Sequence, residues 1–234
     1  MHEHDVLAHQ LPDLPRWVEV RAYVLAGQGE IFGMQQEPAL ACALRAPAAE
    51  TVFVVGTPTL SALQAAVQPS VREVIVPDEH TAWLSQGLPT WTHTKIMVHQ
   101  LPTPARLPIG ASAVQLLDVD RLDQFHLPED VVEELTENPA NALIAATFVG
   151  PQPVAFCYAG SITETWWDVS IDTLPAYRRQ GYAAQCAAFM IRLMQARGQQ
   201  PVWAAAKDNP ASWRLARKLG FVAVDTLALF APGT

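Results

Sequence analysis

The polar stretch from Arg178 to Ala183 holds the residues of this chain that are best suited to bind a ligand. It follows a strand-like run, Trp166 to Thr173, and opens an apolar, helix-like run, Tyr182 to Arg197. A glycine turn between a strand and a helix directs several backbone N–H groups at one point, where the helix dipole adds positive potential. Each such interaction is worth about 0.3–1 kcal/mol when it is exposed, so several must act together. The stretch therefore predicts an anion site, and a diphosphate would suit it.

Three residues of this stretch support the anion site in different ways. Gly181 lets the backbone approach a ligand closely, Ala183 leaves room over the first helical turn, and Arg178 supplies a fixed positive charge. The alternative is a charged turn before an ordinary core helix.

A second strand and a second helix follow. Gly198 can end the first helix in a left-handed cap, and Pro201 to Ala206 is strand-like. Asn209 is a good N-cap for a helix that stops at Gly220, and a final apolar strand runs from Val222 to Phe230. These caps explain Asn209 and Gly220 structurally, without any ligand.

This arrangement resembles the GNAT superfamily of N-acetyltransferases. The resemblance rests on the phosphate-loop motif Arg178 to Ala183, on the downstream motif from Asn209 to Phe221, and on the lead-in Thr173 to Tyr177. It covers the chain from about Ala111 to the end. It implies an α/β class with a mixed sheet, the GNAT acyl-CoA N-acyltransferase fold, preceded here by a smaller α/β domain.

The resemblance also implies that the chain binds coenzyme A, with acetyl-CoA as the cosubstrate. The loop backbone would hold the diphosphate, and the backbone of the preceding strand would pair with the pantetheine arm where two strands splay. Asn209 would reach the pantetheine amides, unless it serves only as the helix N-cap. The residues expected to bind the coenzyme are Ile171, Thr173, Arg178, Arg179, Gln180, Gly181, Tyr182, Ala183 and Asn209.

Acyl transfer to an amine needs a deprotonated amine, a polarised thioester carbonyl and a proton for the leaving thiolate. In the family a tyrosine on the last helix usually donates that proton, and the matching position here is Ala216, which has none to give. Ser212, one turn earlier, could face the sulfur, or a water could act. An ordinary helix-surface serine is an equal alternative for Ser212.

The general base is expected near or on the strand before the loop. Alternation places Asp168, Ser170 and Asp172 on one face of that strand. Asp168 is the first choice, because partial burial near two tryptophans would raise the pKa of its carboxyl. Glu164 is the next choice, and Asp172 would brace the loop. The alternatives are a plain surface carboxylate and loss of the amine proton through water.

The charges of the second half are segregated. Eight basic residues stand against the single acid Asp208 within Arg178–Lys218, and eight acids stand against Arg121 within Asp118–Glu137. The first segment suits a polyanion and the second a cation. In the family these segments would hold coenzyme A and border the acceptor, and two ordinary solvated faces are the alternative. The net charge of −8 argues against a nucleic-acid-binding surface.

A proline-rich linker, Leu101 to Pro108, divides the chain near its middle, because its prolines disfavour helices and central strands. Residues 1–108 are expected to form an α/β domain of unassigned role, and residues 109–234 the acetyltransferase domain. The strands predicted before the loop are Val18–Val24, Thr51–Val55, Val71–Val76, Thr94–His99, Ala113–Leu117, Leu143–Val149, Val154–Gly160 and Thr165–Thr173. The helices predicted there are Thr59–Val67, Glu79–Gln86, Leu122–Phe125 and Pro128–Glu137.

The composition is that of a globular protein of the cytoplasm. Half of the residues are hydrophobic, yet no run has the length and apolarity of a transmembrane helix, and the acidic start does not resemble a secretory signal. Cys42, Cys157 and Cys186 are therefore expected as reduced thiols, and the last two are more typical of a core than of an acyl-carrying nucleophile. The scattered histidines near the start are expected on a flexible terminus rather than on a metal.

Together these features predict an enzyme that transfers an acetyl group from acetyl-CoA to a primary amine within a ternary complex. The acidic segment favours a small cationic amine as the acceptor, and a protein amine is the second option. Neither a nucleic acid nor a membrane is expected as a partner, and a homodimer stays open. Ala216 motivates an alternative of another class, a non-catalytic acyl-CoA sensor. A scaffold with a vestigial loop is the third option.

Overall fold

The computed structural model describes residues 2–46, 50–102, 107, 113–137 and 143–233. They form two compact units whose segments alternate along the chain. The first unit consists of Met1–Val98, Ala204–Trp213 and Ala223–Thr234, and the second consists of His99–Trp203 and Arg214–Val222. Most of the expected linker lies outside the described residues, as does the expected boundary between residues 108 and 109, which stays a prediction.

The described residues form helices and strands in the following chain order. The helices are α1 (Glu3–Gln10), α2 (Val18–Leu25), α3 (Leu60–Ala66), α4 (Thr81–Gly87), α5 (Glu129–Glu137), α6 (Tyr182–Gln195) and α7 (Pro210–Lys218). The strands are β1 (Glu30–Gln35), β2 (Ala41–Ala46), β3 (Thr51–Val55), β4 (Glu73–Pro77), β5 (Trp91–Gln100), β6 (Val114–Leu117), β7 (Ile144–Val149), β8 (Gln152–Ile162), β9 (Trp166–Thr173), β10 (Gln200–Ala206) and β11 (Val222–Pro232). Short 3-10 turns occupy Pro15–Trp17, Asp78–His80, Val119–Gln124 and Pro175–Tyr177.

In the first unit the strands, or the parts of them that belong to it, lie in the order β1-β2-β3-β4-β11-β5. The first three are antiparallel neighbours, β3 and β4 run parallel with α3 between them in the chain, and β4 is antiparallel to β11. One core joins α1 and α2 to the sheet through residues such as Leu7 and Leu44. A second core joins α3 and α4 to it through residues such as Leu63 and Leu84.

In the second unit the strand order is β6-β7-β8-β9-β10. The strands β6 to β9 are antiparallel neighbours, whereas β9 and β10 are parallel, and α6 makes the crossover connection that a parallel pair requires. α6 packs on β7, β8 and β9 through its buried alanines, Met190 and Ile191. Phe156 and Tyr158 of β8 form another core with residues of α5 such as Leu135.

The helix α2 contradicts the predicted strand Val18–Val24. Alternating β-branched residues favour a strand locally, but tertiary contacts decide the outcome here. Arg21 is buried, and its guanidinium donates hydrogen bonds to the carbonyl oxygens of Ala8, at 2.8 Å, and of Leu11. The helical period then brings Val20 and Val24 onto the core that α2 shares with α1.

Three further elements of the first unit do not follow from the sequence patterns. α1 replaces the flexible terminus expected at the start, and its Leu7 is fully buried. β1 and β2 are short strands that contain polar or small residues, and neither is predicted.

The other predicted elements are confirmed to within a few residues. The strand before the loop is β9, the helix after it is α6, and the downstream helix is α7, which begins directly after Asn209. The expected α/β class with a mixed sheet is confirmed as well. Within the described ranges no helix combines the length and apolarity needed to cross a membrane.

Candidate functional site

The loop between β9 and α6 has the backbone geometry of an anion-binding turn. After the 3-10 turn Pro175–Tyr177 the chain enters the left-handed region at Arg179, with φ 62°, and again at Gly181, with φ 89° and ψ 0°. Alternation of left-handed and other conformations turns successive N–H groups towards one side, which makes a concave site for an anion. Gly181 is the N-cap of α6 and has no side chain to occupy that site.

The N–H groups at the start of α6 are available to a ligand. The first hydrogen bond of this helix runs from the amide of Gln185 to the carbonyl of Gly181, at 3.2 Å. Within the described part of the chain, no group accepts a hydrogen bond from the amides of Tyr182, Ala183 or Ala184. A Cβ built at Gly181 has no heavy atom within 4 Å. The terminus is therefore both unsatisfied and accessible.

Neighbouring side chains hold the loop in place. The amide nitrogen Nε2 of Gln180 donates to the carbonyl of Ala176 at 3.2 Å. The hydroxyl of Thr147 on β7 donates to the carbonyl of Tyr182 at 3.2 Å and is fully buried. Thr147 is absent from the sequence-based prediction, and the signal that could have found it is a hydroxyl within the apolar run of β7. It fixes the first residue of α6 to the sheet.

Beside the loop, one edge of β9 is open, with no strand paired to it among the described residues. The pairing of β9 with β10 ends at Asp168, opposite Val202, whereas β9 continues to Thr173. The amide of Leu174 donates to Val154 on the β8 side, at 2.9 Å. Because backbone groups alternate sides along a strand, those of Ile171 and Thr173 point to the opposite, open edge. The predicted role of these two residues requires an unpaired edge of this kind, and that role stays a prediction.

Arg178 lies on the open edge as well as in the loop. Its Nε donates to the carbonyl oxygen of Thr173 at 3.0 Å, and the side chain is exposed. The guanidinium therefore occupies one acceptor of the open strand edge while it belongs to the loop before α6.

The predicted residues of α7 have structural tasks that the structure shows directly. The side-chain oxygen of Asn209 caps α7 by accepting the amide of Ser212 at 3.2 Å. The helix ends in a Schellman motif, in which Phe221 donates to the carbonyl of Ala216 at 3.0 Å and Gly220 has φ 95°. Asn209 and Ser212 belong to the first unit, whereas the loop belongs to the second. Their roles towards a ligand stay predictions.

The position of Ala216 is closed. Its side chain is fully buried. A phenol cannot be added there without displacing the core.

Asp168 lies on a polar face of β9 together with Ser170 and Asp172. Cross-strand pairing places Tyr158 opposite Ser170, so the buried phenol shares this face, and its hydroxyl donates to a carboxylate oxygen of Glu134 on α5. Burial, then this hydrogen bond, and the charges of Glu134 and Asp172 raise the pKa of Tyr158. The phenol therefore stays protonated, and it lies among carboxylates.

Gly160 lets the side chains of Asp168 and Ser170 pack closely over β8. A Cβ at Gly160 would lie 2.8 Å from the hydroxyl of Ser170 and 3.2 Å from Oδ2 of Asp168. The structure thus brings Asp168 together with Ser170, and it joins the acidic helix α5 to the same sheet through Tyr158.

Cys157 and Cys186 are core residues. Both are buried, and the thiol of Cys186 donates to the carbonyl of Ala145 at 3.0 Å. Burial raises the pKa of Cys186 to about 12 and the pKa of Cys157 well above its ordinary value, so both remain thiols at neutral pH. Neither meets the requirement of a thiolate nucleophile. In the described ranges no group of three or more His, Cys, Asp or Glu side chains is arranged to hold a metal ion.

Solved GNAT structures are similar to this chain along nearly its full length. A GCN5-related N-acetyltransferase-like protein from Streptococcus suis matches with a TM-score of 0.68 at 16% identity, over 97% of this chain and 96% of that one. A GCN5-related N-acetyltransferase from Kribbella flavida matches with a TM-score of 0.63 at 14% identity, over 96% and 97% of the two chains. A tandem GNAT protein from the clavulanic acid biosynthesis pathway matches with a TM-score of 0.53 at 10% identity, over 99% and 97%. These matches identify the fold class as GNAT.

One segment of the sequence matches a family model. Residues 145–230 match the family model described as GNAT acetyltransferase, whereas no curated protein sequence matches the chain. The chain therefore carries a GNAT acetyltransferase domain over residues 145–230, which include the loop and α6. Residues before 145 lie outside this match. The family and the fold support acyl transfer as the class of activity.

Proposed function

We propose that the protein is an N-acetyltransferase that moves an acetyl group from acetyl-CoA to a primary amine. The observation that carries this proposal is the uncapped start of α6, where Tyr182, Ala183 and Ala184 present free amides next to Gly181. These groups lie within the segment that matches the GNAT acetyltransferase model.

Coenzyme A fits the residues present. A helix N-terminus with free amides binds phosphate oxygens, and Arg178 and Arg179 add positive charge at the same loop. The open edge of β9 offers the backbone groups of Ile171 and Thr173 to the amides of a pantetheine arm. Asn209 has its side-chain oxygen engaged as a cap, which leaves its NH2 group to a ligand. Bound acetyl-CoA would supply an activated acyl group as its thioester.

The polar face of β9 suits a small cationic amine. Asp172 on β9 and Glu134 on α5 carry carboxylates near the protonated phenol of Tyr158, and Asp168 adds a third carboxylate on the same face of β9. An ammonium group is attracted by such a set, and one of the carboxylates can then take its proton. Asp168 is the base we propose, because it shares this polar face with Ser170 on the strand that leads to the loop.

Because Ala216 has no proton to give, another group must protonate the leaving thiolate. Ser212 is half-buried on α7, three residues after the N-cap Asn209, and is the residue we propose for protonating the leaving thiolate. Water is the alternative donor, because a thiolate is a good leaving group that needs less acid assistance than an alkoxide.

The test is thiol release from acetyl-CoA in the presence of a panel of primary amines, with the product confirmed by mass spectrometry. Small cationic amines should give turnover, and Asp168→Asn should lower kcat by about 100-fold if its carboxylate is the base. Turnover only with protein or peptide amines would instead favour a protein acceptor. Absence of both turnover and acetyl-CoA binding would rule out the proposal.

A second candidate function is a non-catalytic acyl-CoA sensor. It is favoured by the closed position of Ala216, where the family's usual proton donor is missing. Tight acetyl-CoA binding by calorimetry, without thiol release for any amine in the panel, would support this candidate over the enzyme.

A further inference from the structure

The hydrogen bond between Arg178 and Thr173 links the loop before α6 to the open edge of β9. An acyl carrier such as acetyl-CoA would contact both parts of the site at once. Thr173 is the last residue of β9, and its carbonyl points to the open edge of that strand. Arg178 Nε occupies this carbonyl at 3.0 Å. The same side chain belongs to the loop that leads to the free amides of α6.

The carbonyl of Thr173 and a diphosphate at the start of α6 would compete for the guanidinium of Arg178. A pantetheine arm that pairs with the open edge needs the carbonyl of Thr173 as an acceptor, whereas Arg178 already fills it. A diphosphate at the start of α6 offers Arg178 a charged partner, and hydrogen bonds between charged groups are stronger than those to a neutral carbonyl. Binding of the diphosphate would therefore draw Arg178 away and release Thr173 to the arm.

We propose that Arg178 is a specificity-determining residue, which makes the diphosphate of the carrier a condition for docking of the pantetheine arm. This inference rests on the proposed function, because it concerns the same coenzyme site. It distinguishes carriers by chemistry: a thioester on a nucleotide-bearing arm can move the guanidinium, whereas a thioester on a pantetheine arm without phosphate must displace it unaided.

Two substitutions separate the charge of Arg178 from its hydrogen bond. In Arg178→Gln the side-chain Nε2 stands at the same position along the chain as the arginine Nε, so an N–H donor to Thr173 is kept while the charge is lost. In Arg178→Met both the donor and the charge are lost, while the apolar stem keeps a similar length. Arg178 is exposed, so neither change disturbs the core.

The experiment compares acetyl-CoA with S-acetylpantetheine, which lacks every phosphate, by calorimetry and by KM and kcat in thiol release. Both variants should bind acetyl-CoA about five- to tenfold more weakly than the wild type, because both lose the charge. Arg178→Met should bind S-acetylpantetheine about two- to tenfold more tightly than the wild type, whereas Arg178→Gln should not gain. Arg72→Met, at an exposed arginine of the first unit, should leave both affinities unchanged.

The outcomes separate this inference from the proposed function. If Arg178→Met fails to improve binding of S-acetylpantetheine, or weakens both carriers equally, then the competition at Thr173 does not exist and the inference is wrong. If the wild type releases no thiol and does not bind acetyl-CoA, the proposed function itself fails. Equal gains for Arg178→Gln and Arg178→Met would also contradict the inference, because the hydrogen bond would then play no part.

Discussion

Each unit contains two parallel strands joined by a helix, and we call these strand–helix–strand connections the first and the second crossing. The two crossings differ at the start of the helix and at the strand edge beside it. β3–α3–β4 in the first unit and β9–α6–β10 in the second both follow antiparallel strands, and in each the parallel pairing extends over three residue pairs. The order of elements is therefore the same, so the differences between the crossings show what makes a ligand site.

The two helix starts differ in how they are satisfied. α3 has seven residues, and the hydroxyl of its N-cap Thr59 accepts the amide of Ala62 at 3.2 Å. β1 covers the same turn so closely that a Cβ at Gly33 would lie 2.3 Å from Cβ of Ala62. α6 has fourteen residues, and its N-cap Gly181 has neither a capping side chain nor a neighbour within 4 Å of a built Cβ. The first start is capped and covered, and the second is open.

The strand edges beside these helices differ as well. β3 ends two residues past its last pair with β4, whereas β9 runs five residues past its last pair with β10. The segment Pro15–Val20 packs where β3 and β4 part and leaves a cavity of about 20 Å³, which is enough for roughly one water. The common topology thus gives a candidate carrier site only where the strand runs on and the helix start stays uncapped.

The largest expected effect concerns the second crossing, at the start of α6. Gly181→Val should weaken acetyl-CoA binding by at least about 100-fold, because a branched side chain would enter the open space over the free amides, and a left-handed conformation at φ 89° strains any L residue. Calorimetry measures the affinity, and thermal unfolding checks that the fold persists.

Gly198→Val is the matched control for this substitution. Gly198 has φ 83°, open space around a built Cβ, and a position past the other end of α6. It should show a similar loss of stability with unchanged affinity. If both variants bind acetyl-CoA as the wild type does, the start of α6 is not the carrier site.

The next largest effect concerns the first crossing, directly after β3. Gly56→Ala should destabilise the fold by about 2–4 kcal/mol, because a Cβ there would lie 2.4 Å from the carbonyl oxygen of Leu40 and φ is 59°. The affinity of the folded protein for acetyl-CoA should not change. Gly27→Ala, with φ 64° and no atom within 4 Å, should cost only about 1 kcal/mol in urea unfolding. A loss of affinity in folded Gly56→Ala would show that the first crossing contributes to the site.

The contrast between the crossings also explains what could be predicted from the sequence. Local signals define the second crossing: a glycine turn after the strand, Asn209 as an N-cap and Gly220 as a C-cap each have one structural meaning. These predictions are confirmed because backbone conformation depends mainly on neighbouring residues. The GNAT resemblance rests on the same local motifs, which is why the family match covers that region.

What the sequence does not predict depends on distant contacts. α2 forms because Arg21 donates to carbonyl oxygens of the preceding helical segment, which no local pattern reveals. The anchoring of Tyr182 by Thr147 joins residues 35 positions apart. The occupation of Thr173 by Arg178 is close in sequence, but it depends on where the loop turns the guanidinium. Side-chain partners of this kind follow only from the folded backbone.

A smaller effect tests whether the missing tyrosine of the second unit can be restored. Ala216→Tyr should lower stability by about 1–3 kcal/mol and should not raise kcat, because the position is fully buried and a phenol there overpacks the core. Ala211→Tyr, on an exposed position of the same helix, should change stability by less than about 0.5 kcal/mol. A gain in kcat for Ala216→Tyr, measured by thiol release, would mean that the position opens onto the reacting thioester.

The smallest effect concerns the carboxyl group of Glu19, which lines the small cavity of the first crossing. Burial, and secondarily the charge of Glu73, raise the pKa of Glu19 from 4.5 to about 7, and Tyr23 also interacts with this carboxyl group. The folded state therefore holds this proton more tightly than the unfolded state does. The resulting stability is fully present below pH 4.5, is lost as the pH rises to about 7, and changes no further above that.

Glu19→Gln removes this titration. Relative to the wild type, the variant should gain on the order of 1 kcal/mol in unfolding free energy between pH 4 and pH 8, because an amide carries no buried charge at either pH. Urea unfolding at one-unit pH steps measures the difference, and Glu129→Gln, at an exposed position of α5, is the control for the same change of residue type. A variant that differs from the wild type equally at pH 4 and pH 8 would show that the charge of Glu19 is solvated in the folded state. In that case the segment Pro15–Val20 would pack less tightly against the first crossing than the cavity of about 20 Å³ implies.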